Sequence, residues 1–587
     1  MKTLKFVLAA ALIISATAGC TKKKKKADVA AEATAVSGTP TAAPALPKLN
    51  NSELKIGIAQ EFETFNPLIA NMSATTLMLR MAVRGLDTID ADGKWVPQLA
   101  KSIPTLDNGG AKIVTVGGVK KIEAIWEIQE AAVWGDGHPV ICDDFAFAIK
   151  VASAATVSVG EKETYTQIEK ITVDTANPKK CTFLYEKAKW DFYQLGTTMP
   201  LPKHLEEKVF NMYGATNAGY DNNSLYTKDP YNVGLYNGPY IVQEIQLGDH
   251  VTFIPNPKWW GEKPKIQKII YKLIPNSGTL EANLRSGTID LISTLGLALD
   301  QGLAFDKKVK SENLPYNVLF QPSTVYEHID LNLDNPFLKD VRVRKALTYT
   351  MNREELVTSL FEGKQSPALH NITPKDPWYT DDPTKVTIYK NDVRQAEKLL
   401  DEAGWKPGPD GIRMKGGKRL TFTLMTTAGN KTRELVQVYL QNKWKQVGIE
   451  ITTKNEPPRV YFGETTKKRQ FDSMALFAWV SSPEASPKST FLSTNIPTAK
   501  NGWSGQNYMG WKNPKVDKLL LELDTEFSPE KRISIVHEIL KYYTEDVPVL
   551  PLYYRSDVAV IPTQMKGFRL TGHQFPETNE VEKWNLQ

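Results

Sequence analysis

"DVRQAEKLLDEAG", residues 392–404, carries the pattern that decides the fold class. Val393, Ala396, Leu399, Leu400 and Ala403 recur at the three- and four-residue spacing that places them on one face of a helix, and Gly404 stands where that helix can be capped. "GPDG" at 408–411 then supplies turn chemistry, and Leu420, Phe422 and Leu424 alternate as in a half-buried strand. A second helix is predicted from about Thr432 to Val447, followed by a short strand from Ile449 to Thr453. Helices and strands in this alternation predict an α/β architecture with a mixed sheet.

The whole chain has 587 residues, of which 41% are hydrophobic, so it is too long for one core and should divide into two or more compact units. Thirteen Trp and 22 Tyr suit a surface or cleft that needs flat, amphipathic side chains. The net charge of +6 is local. Eight of the 72 basic residues (Lys2, Lys5, Lys22 to Lys26 and Lys48) and two of the 66 acidic ones (Asp28, Glu32) fall in residues 1–49, which leaves 64 of each sign in the body. A phosphate-binding footprint therefore has no support, and no nucleic-acid partner is expected.

Lys2 and Lys5 precede an apolar run from Phe6 to Ala16, then Thr17, Ala18, Gly19 and Cys20. The run is too short to span a bilayer but suits an export signal. Small residues directly before Cys20 resemble the lipobox of bacterial lipoproteins, with Thr17 standing where that motif usually has Leu. The resemblance implies a signal peptide over 1–19, lipidation at Cys20 and an anchor in a membrane; cleavage near Ala16 or Ala18 with a free Cys20 is the alternative. Residues 20–50 lack hydrophobic periodicity and are expected to be a disordered tether, holding the body about 30 Å from its anchor. Export also bears on the two remaining thiols: an even pair, Cys142 and Cys181, favours a disulfide, with a free buried pair as the other possibility. Without a CxxC spacing they make a poor metal site.

"VWGDGHPVICDDFAFAIK", residues 133–150, offers an imidazole beside carboxylates and a thiol, a set that could do acid/base chemistry or hold a metal. Each polar residue also has a structural task available. Trp126 and Ile128 alternate in a strand before it, Asp136-Gly137 suits a turn, and Asp143 and Asp144 sit where a helix would begin. Scaffold is the preferred reading. His537-Glu538 fails as HExxH because Lys541 replaces the second histidine, and "GWSG" at 502–505 is followed by Gln506 rather than the residues of a nucleophile elbow. No phosphate-binding loop occurs, and a glycosidase-like carboxylate pair is left open simply because 66 acids guarantee near neighbours. Nothing in the sequence signals an enzyme, a cofactor or a metal.

The order of several blocks does carry a resemblance. Trp134, Asp136, Gly137, Pro139 and Val140 resemble a "W-x-D-G-x-P-V" signature; "YNGPYIV" from Tyr236, "NPKWWGEKPKIQKIIY" from Asn256, "LRSGTIDLI" from Leu284, "DVRVRKALTYTMNREELV" from Asp340, "AEKLLDEAGW" from Ala396 and "EDVPVLPLYY" from Glu545 follow in register. Over residues 53–570 the chain resembles solute-binding protein family 5, the dipeptide- and oligopeptide-binding receptors of ABC importers. The resemblance implies an α/β, type II periplasmic-binding fold: two lobes joined by two crossovers near Phe320 and Tyr553, with an extra subdomain in the first lobe. It implies lobe I from 51–90, 215–320 and 553–587, the subdomain from 91–214, and lobe II from 321–552.

The same resemblance implies a non-enzymatic, monomeric receptor that closes around a peptide or peptide-like solute and passes it to an ABC permease and ATPase complex. Asn71, Met72, Ser73 and Asn237 are implied ligand contacts in lobe I, Tyr326 just past the first crossover, and Tyr461, Trp479, Val480, Ser481 and Ser482 in the lobe II wall. Peptide-binding members commonly have "W-x-x-D" at this wall, the aspartate pairing with the peptide's amino terminus. Here Trp479-Val480-Ser481-Ser482 puts a serine in its place. A buried ammonium needs a carboxylate partner, so either a shifted acid such as Glu484 substitutes or the ligand lacks that amine. An exported hydrolase on the same scaffold, and a non-transporting peptide sensor or holdase, are the alternatives.

Overall fold

The computed structural model describes residues 49–70, 72–159, 162–501, 503 and 505–587. The signal segment, Cys20, most of the tether and Asn71 lie outside the described residues.

The helix expected at 392–403 forms as Val393–Glu402, its N-terminus capped by Asp392, whose carboxylate accepts the Gln395 N–H at 2.9 Å. The next strand is Thr421–Thr427, the second helix is Lys431–Lys445, and the second strand is Glu450–Glu456, so each expected element is present within a few residues. These belong to one mixed sheet. Besides the two-residue strand Ser366–Pro367, which pairs with the last of them off the main path, its strands in chain order are β1 (Leu54–Ile58), β2 (Tyr240–Gln246), β3 (His250–Pro255), β4 (Ile269–Leu273), β5 (Leu291–Ile292), β6 (Tyr316–Leu331), β7 (Thr421–Thr427), β8 (Glu450–Glu456), β9 (Met474–Val480) and β10 (Val549–Pro562). They lie side by side in the order β8-β7-β9-β6-β10-β5-β1-β4-β3-β2. β1 is parallel to β4 and β5, and β7 is parallel to β8 and β9, so each wing of the sheet has a parallel centre.

The two central strands are long, 16 residues in β6 and 14 in β10, and each is shared between two cores. One core gathers Leu54, Ile56, Met81, Phe253 and Tyr271, and takes Ala559 and Ile561 from β10. The other gathers Leu347, Leu424, Trp444 and Met474, and takes Ile329 and Leu331 from β6 with Leu550 and Leu552 from β10. The two strands pair antiparallel but lose register between Pro322 and Tyr326. Pro322 has no N–H to give to the ladder, and the Thr324 N–H leaves it altogether to reach the Gly572 carbonyl at 2.7 Å.

The subdomain is a four-stranded antiparallel sheet, Ala111–Val116, Val119–Glu127, Lys180–Tyr185 and Ile168–Val173 in that spatial order, covered by the helix Cys142–Ser153. Cys142 and Cys181 form a disulfide with their Cα atoms 6.1 Å apart, tying the helix start to a central strand. The subdomain does not separate cleanly from lobe I, because the same helix gives Phe145 to the subdomain core and Phe147 and Val151 to the lobe I core.

Polar residues of the 133–150 stretch make structural hydrogen bonds. Trp134 is fully buried and donates its indole N–H to Asp144 at 3.0 Å; the Ile141 N–H and Lys203 N–H add two more bonds to that carboxylate. Burial pushes Asp144 up to about 6 against these three donors. Gly135 is packed so tightly that a Cβ there would come within 2.3 Å of the Val233 carbonyl oxygen. Asp136 accepts the His138 N–H at 2.9 Å across the turn and faces the His204 ring at 2.8 Å.

Candidate ligand-binding site

Where the lobes meet, a cavity of ≈ 360 Å³ opens beside β10. Helix Ser73–Ala82 supplies one wall with Ser73, Thr76 and Arg80; β10 supplies Asp557; and the segment after it supplies Thr571, His573 and Glu577. Among the described residues, Val480 is the single lining residue from lobe II. The helix lies here because its other face, with Ala74, Met78 and Met81, is buried in the lobe I core.

The charges in this cavity are unevenly solvated. Glu577 is only 4% exposed. Burial pushes it up to about 7; hydrogen bonds from its own backbone and Thr294 pull it down, and the Asp557 charge pushes it further up. Asp557 is also raised by burial, opposed by the charges of Arg555 and Lys375. Arg80 donates to the Gly196 carbonyl at 2.7 Å and lies 5.0 Å over the Phe575 ring, which holds its guanidinium in place. His573 is lowered mainly by burial, and its Nε2 is 2.8 Å from the Asp90 carbonyl oxygen.

The lobes also touch elsewhere. The Gln574 side chain donates to the Ser482 hydroxyl, and Lys375 donates to the Thr571 carbonyl at 2.6 Å. Farther out, Trp190 of the subdomain is 3% exposed and sits among lobe II side chains. Its ring centroid is 5.7 Å from that of Trp378, the Arg532 guanidinium lies 4.0 Å from it, and its backbone N–H reaches the Asp524 carbonyl at 3.3 Å.

Of the residues implied by resemblance, Ser73 and Val480 line the cavity. Met72 caps the helix from outside it, its N–H donating to Glu63 at 2.7 Å. Two of the implied contacts have their side chains bonded within the protein. Asn237 is fully buried, its carbonyl oxygen accepting the Arg84 N–H at 2.7 Å and its amide donating to the Arg84 carbonyl, so its side chain is spent on the scaffold rather than on a ligand. Tyr461 is also fully buried, with its hydroxyl donating to the Met425 and Leu476 carbonyls at 3.3 and 3.0 Å.

Tyr326 is 5% exposed and stacks on the buried His328 at 4.5 Å, opposite Trp479 in the β6–β9 ladder. Trp479 is half-buried, stacked on Tyr508 at 5.9 Å, and stands outside the cavity lining. Ser481 gives its N–H and hydroxyl to the Thr324 carbonyl, both at 3.1 Å, tying the two lobe II strands beside the crossover. Glu484 does not replace the missing acid in the cavity: it sits at a φ of 57°, its N–H bound to Asp376 at 3.0 Å and its carboxyl raised by burial and partly relieved by Arg532.

Sequence reasoning missed Arg80, Asp557, His573 and Glu577. Asp557 left one sign, as a lone acid in the otherwise apolar end of β10, "DVAVIP".

Two α/β lobes sharing a pair of crossing strands, with a subdomain on the first and a cavity at the seam, define a two-lobed solute receptor of the type II periplasmic-binding fold. The chain belongs to the bacterial extracellular solute-binding proteins, family 5, whose middle region matches residues 94–501. Members of this family are binding proteins and not enzymes, and this chain is one of them. It is 26% identical to the oligopeptide-binding protein AppA of Bacillus subtilis (strain 168) over 541 residues, covering 91% of each chain. The structure of an oligopeptide-binding protein from Thermus thermophilus complexed with a pentapeptide is similar at 27% identity and a TM-score of 0.70, over 91% of this chain and 96% of that one. NikZ from Campylobacter jejuni, in complex with Ni(L-His), has the same fold at 23% identity and a TM-score of 0.70, over 92% of this chain and 100% of that one.

Proposed function

We propose that this chain is the substrate-binding receptor of an ABC importer, capturing a peptide or peptide-like solute at the lobe seam and delivering it to a membrane permease and its ATPase. The observation that carries the reading is the ≈ 360 Å³ cavity at the lobe seam, lined by lobe I and reached from lobe II by Val480, at the small end of the range for ligand pockets. Closure helps only if the ligand binds the closed state better than the open one, and contacts added from lobe II as the lobes meet supply that difference. The turning point is assigned to residues 322–326 of β6 and the facing 554–556 of β10, where the register of the pair breaks. Lobe I then comprises 51–90, 215–320 and 553–587, lobe II 321–552, and the subdomain 91–214. Lipidation of Cys20 holds the monomeric, exported receptor at the periplasmic or extracellular face of a membrane of the cell envelope through a tether of residues 20–50. Ser73 and Val480 contact ligand, and Trp479 and Tyr326 support the lobe II wall behind them.

The test is direct. Receptor purified from its own cells is denatured, and the released small molecules are identified by mass spectrometry. Recovery of peptides supports the reading; a bound compound that emerges chemically altered, or uptake unaffected by deletion of the gene, refutes it. Cys20→Ala, expressed at the normal level, should release the receptor from the membrane fraction.

A further inference from the structure

The imidazole and carboxylate of the 133–150 stretch gain a third partner in the folded chain. Among the described residues, Asp136, His138 and His204 are the one set of three metal-ligating side chains whose donor atoms all lie within 4.8 Å of one another. None of the three lines the cavity at the lobe seam, so the set stands apart from the ligand reading above. We propose that Asp136, His138 and His204 form a site on the subdomain for a divalent transition cation of the zinc class, held by two imidazole nitrogens and one carboxylate oxygen.

The ligands come from two elements, Asp136 and His138 from the turn and His204 from the start of the helix Lys203–Tyr213. Both rings present a nitrogen to the same oxygen, Asp136 Oδ2: His204 Nε2 at 2.8 Å and His138 Nδ1 at 3.7 Å. Donors about 2.0–2.1 Å from a tetrahedral ion stand about 3.3 Å apart, so these two spacings bracket the edge that zinc needs. The rings lie face to face, their centroids 4.1 Å apart and their planes at 11°. A small rotation of the His138 ring, whose side chain is 61% exposed, converges its lone pair with that of His204.

The frame around the donors is fixed. Asp136 Oδ1 accepts the His138 N–H at 2.9 Å, which turns Oδ2 toward the rings. Gly234 packs against Oδ2 so closely that a Cβ there would come within 2.6 Å of it. The buried Asp144 accepts both the Trp134 indole N–H and the Lys203 N–H, each at 3.0 Å, and so ties the turn to the helix start. Outer support of this kind is what holds metal ligands in register. Two imidazoles and one carboxylate suit Zn²⁺, Ni²⁺ or Cu²⁺, whereas Ca²⁺ and Mg²⁺ prefer oxygen donors. Three protein ligands leave a coordination position to water. His250 shows what the arrangement adds. It too has acids beside it, but Asp249 meets Nδ1 at 2.9 Å and Glu244 meets Nε2 at 3.5 Å, so the two carboxylates face different nitrogens and no single ion takes both with the ring.

Untagged, full-length receptor is stripped on a chelating resin and dialysed against ZnCl₂ over a micromolar range, and its bound zinc is counted by atomic emission. His138→Ala and His138→Gln, which alter an exposed side chain and keep the fold, are dialysed beside it, with His250→Ala as the control. The parent is expected to bind one zinc more than either His138 variant. Its tightest zinc event should weaken in them by at least about tenfold, the low end of what losing even an outer-shell partner costs. His250→Ala should match the parent, and CaCl₂ at the same concentration should not compete. X-ray absorption at the zinc edge, on parent loaded with one equivalent, should show two imidazoles. Equal zinc in the parent and both His138 variants overturns the site, as does an all-oxygen shell. The same loss in His250→Ala also overturns it, since it marks binding at any exposed histidine, and so does competition by calcium, which marks carboxylates alone. Each count is a difference between variants, so zinc held anywhere else in the chain cancels, and failure of the site leaves the receptor reading standing.

Discussion

Replacing Trp190 with Ala should weaken ligand binding from outside the ligand cavity. Trp190 belongs to the subdomain, yet it is 3% exposed because Trp378 and Arg532 of lobe II cover it. A buried Trp removes roughly 150–250 Å² from water, which at about 25 cal/mol per Å² is about 4–6 kcal/mol. Part of that area stays covered by the subdomain when the lobes part. If half is lost on opening, the ring favours the closed state by about 2–3 kcal/mol, the cation–π contact with Arg532 included. Since ligand binding draws on the closed state, Trp190→Ala should reduce affinity by about 30- to 150-fold where closure is otherwise marginal. Trp190→Phe, which keeps the apolar body, should recover most of the loss. Titration calorimetry gives the affinities and solution scattering gives the lobe separation with and without ligand. An Ala variant with wild-type thermal unfolding, wild-type scattering and affinity within about twofold would refute the idea that this contact biases closure.

Other substitutions should separate scaffold from site. Glu577 is raised from 4.5 in the unfolded chain to about 7 in the folded one, so between those values the unfolded state binds fewer protons and stability falls as pH rises. Glu577→Gln should therefore gain on the wild type by about 3 kcal/mol from about pH 4 to about pH 8 in urea unfolding, levelling above about pH 7. Reducing the Cys142–Cys181 bridge, which closes a loop with a sequence separation of 39, should lower stability by about 2–4 kcal/mol and leave ligand affinity unchanged in the folded protein. Asn237→Ala strands the Arg84 backbone groups and should cost about 1–3 kcal/mol in chemical denaturation with little change in affinity once folded. Tyr461→Phe, which removes only a hydroxyl bonded to two carbonyls, should cost about 1 kcal/mol and likewise spare binding.

The architecture was legible where physics acts locally. The 3.6-residue stripe from Val393 and the alternation at Leu420 to Leu424 set elements whose faces must be buried, and both elements form there. The turn and helix start around Asp136 and Asp144 were legible for the same reason, since caps and turns are satisfied within a few residues. The cavity was not, because its walls are brought together from opposite ends of the chain: Arg80 on an early helix and Glu577 near the end. Resemblance pointed to Asn237 and Tyr461 by position in a block, but whether a polar side chain faces ligand or a neighbouring carbonyl depends on long-range packing that no short motif records. Position 482 is the instructive case, where the letter alone showed that a charge was missing and only the structure showed the hydroxyl bonded to Gln574.

Because β6 and β10 are bonded to each other both before and after Pro322, neither can travel without its neighbour. Two ropes lashed together above and below a slack interval flex as one ribbon; they do not slip lengthwise past each other. Cargo of varied size must then be accommodated by how far the jaws rock. A transporter docked against both jaws could read occupancy from that one angle, whatever the cargo's sequence.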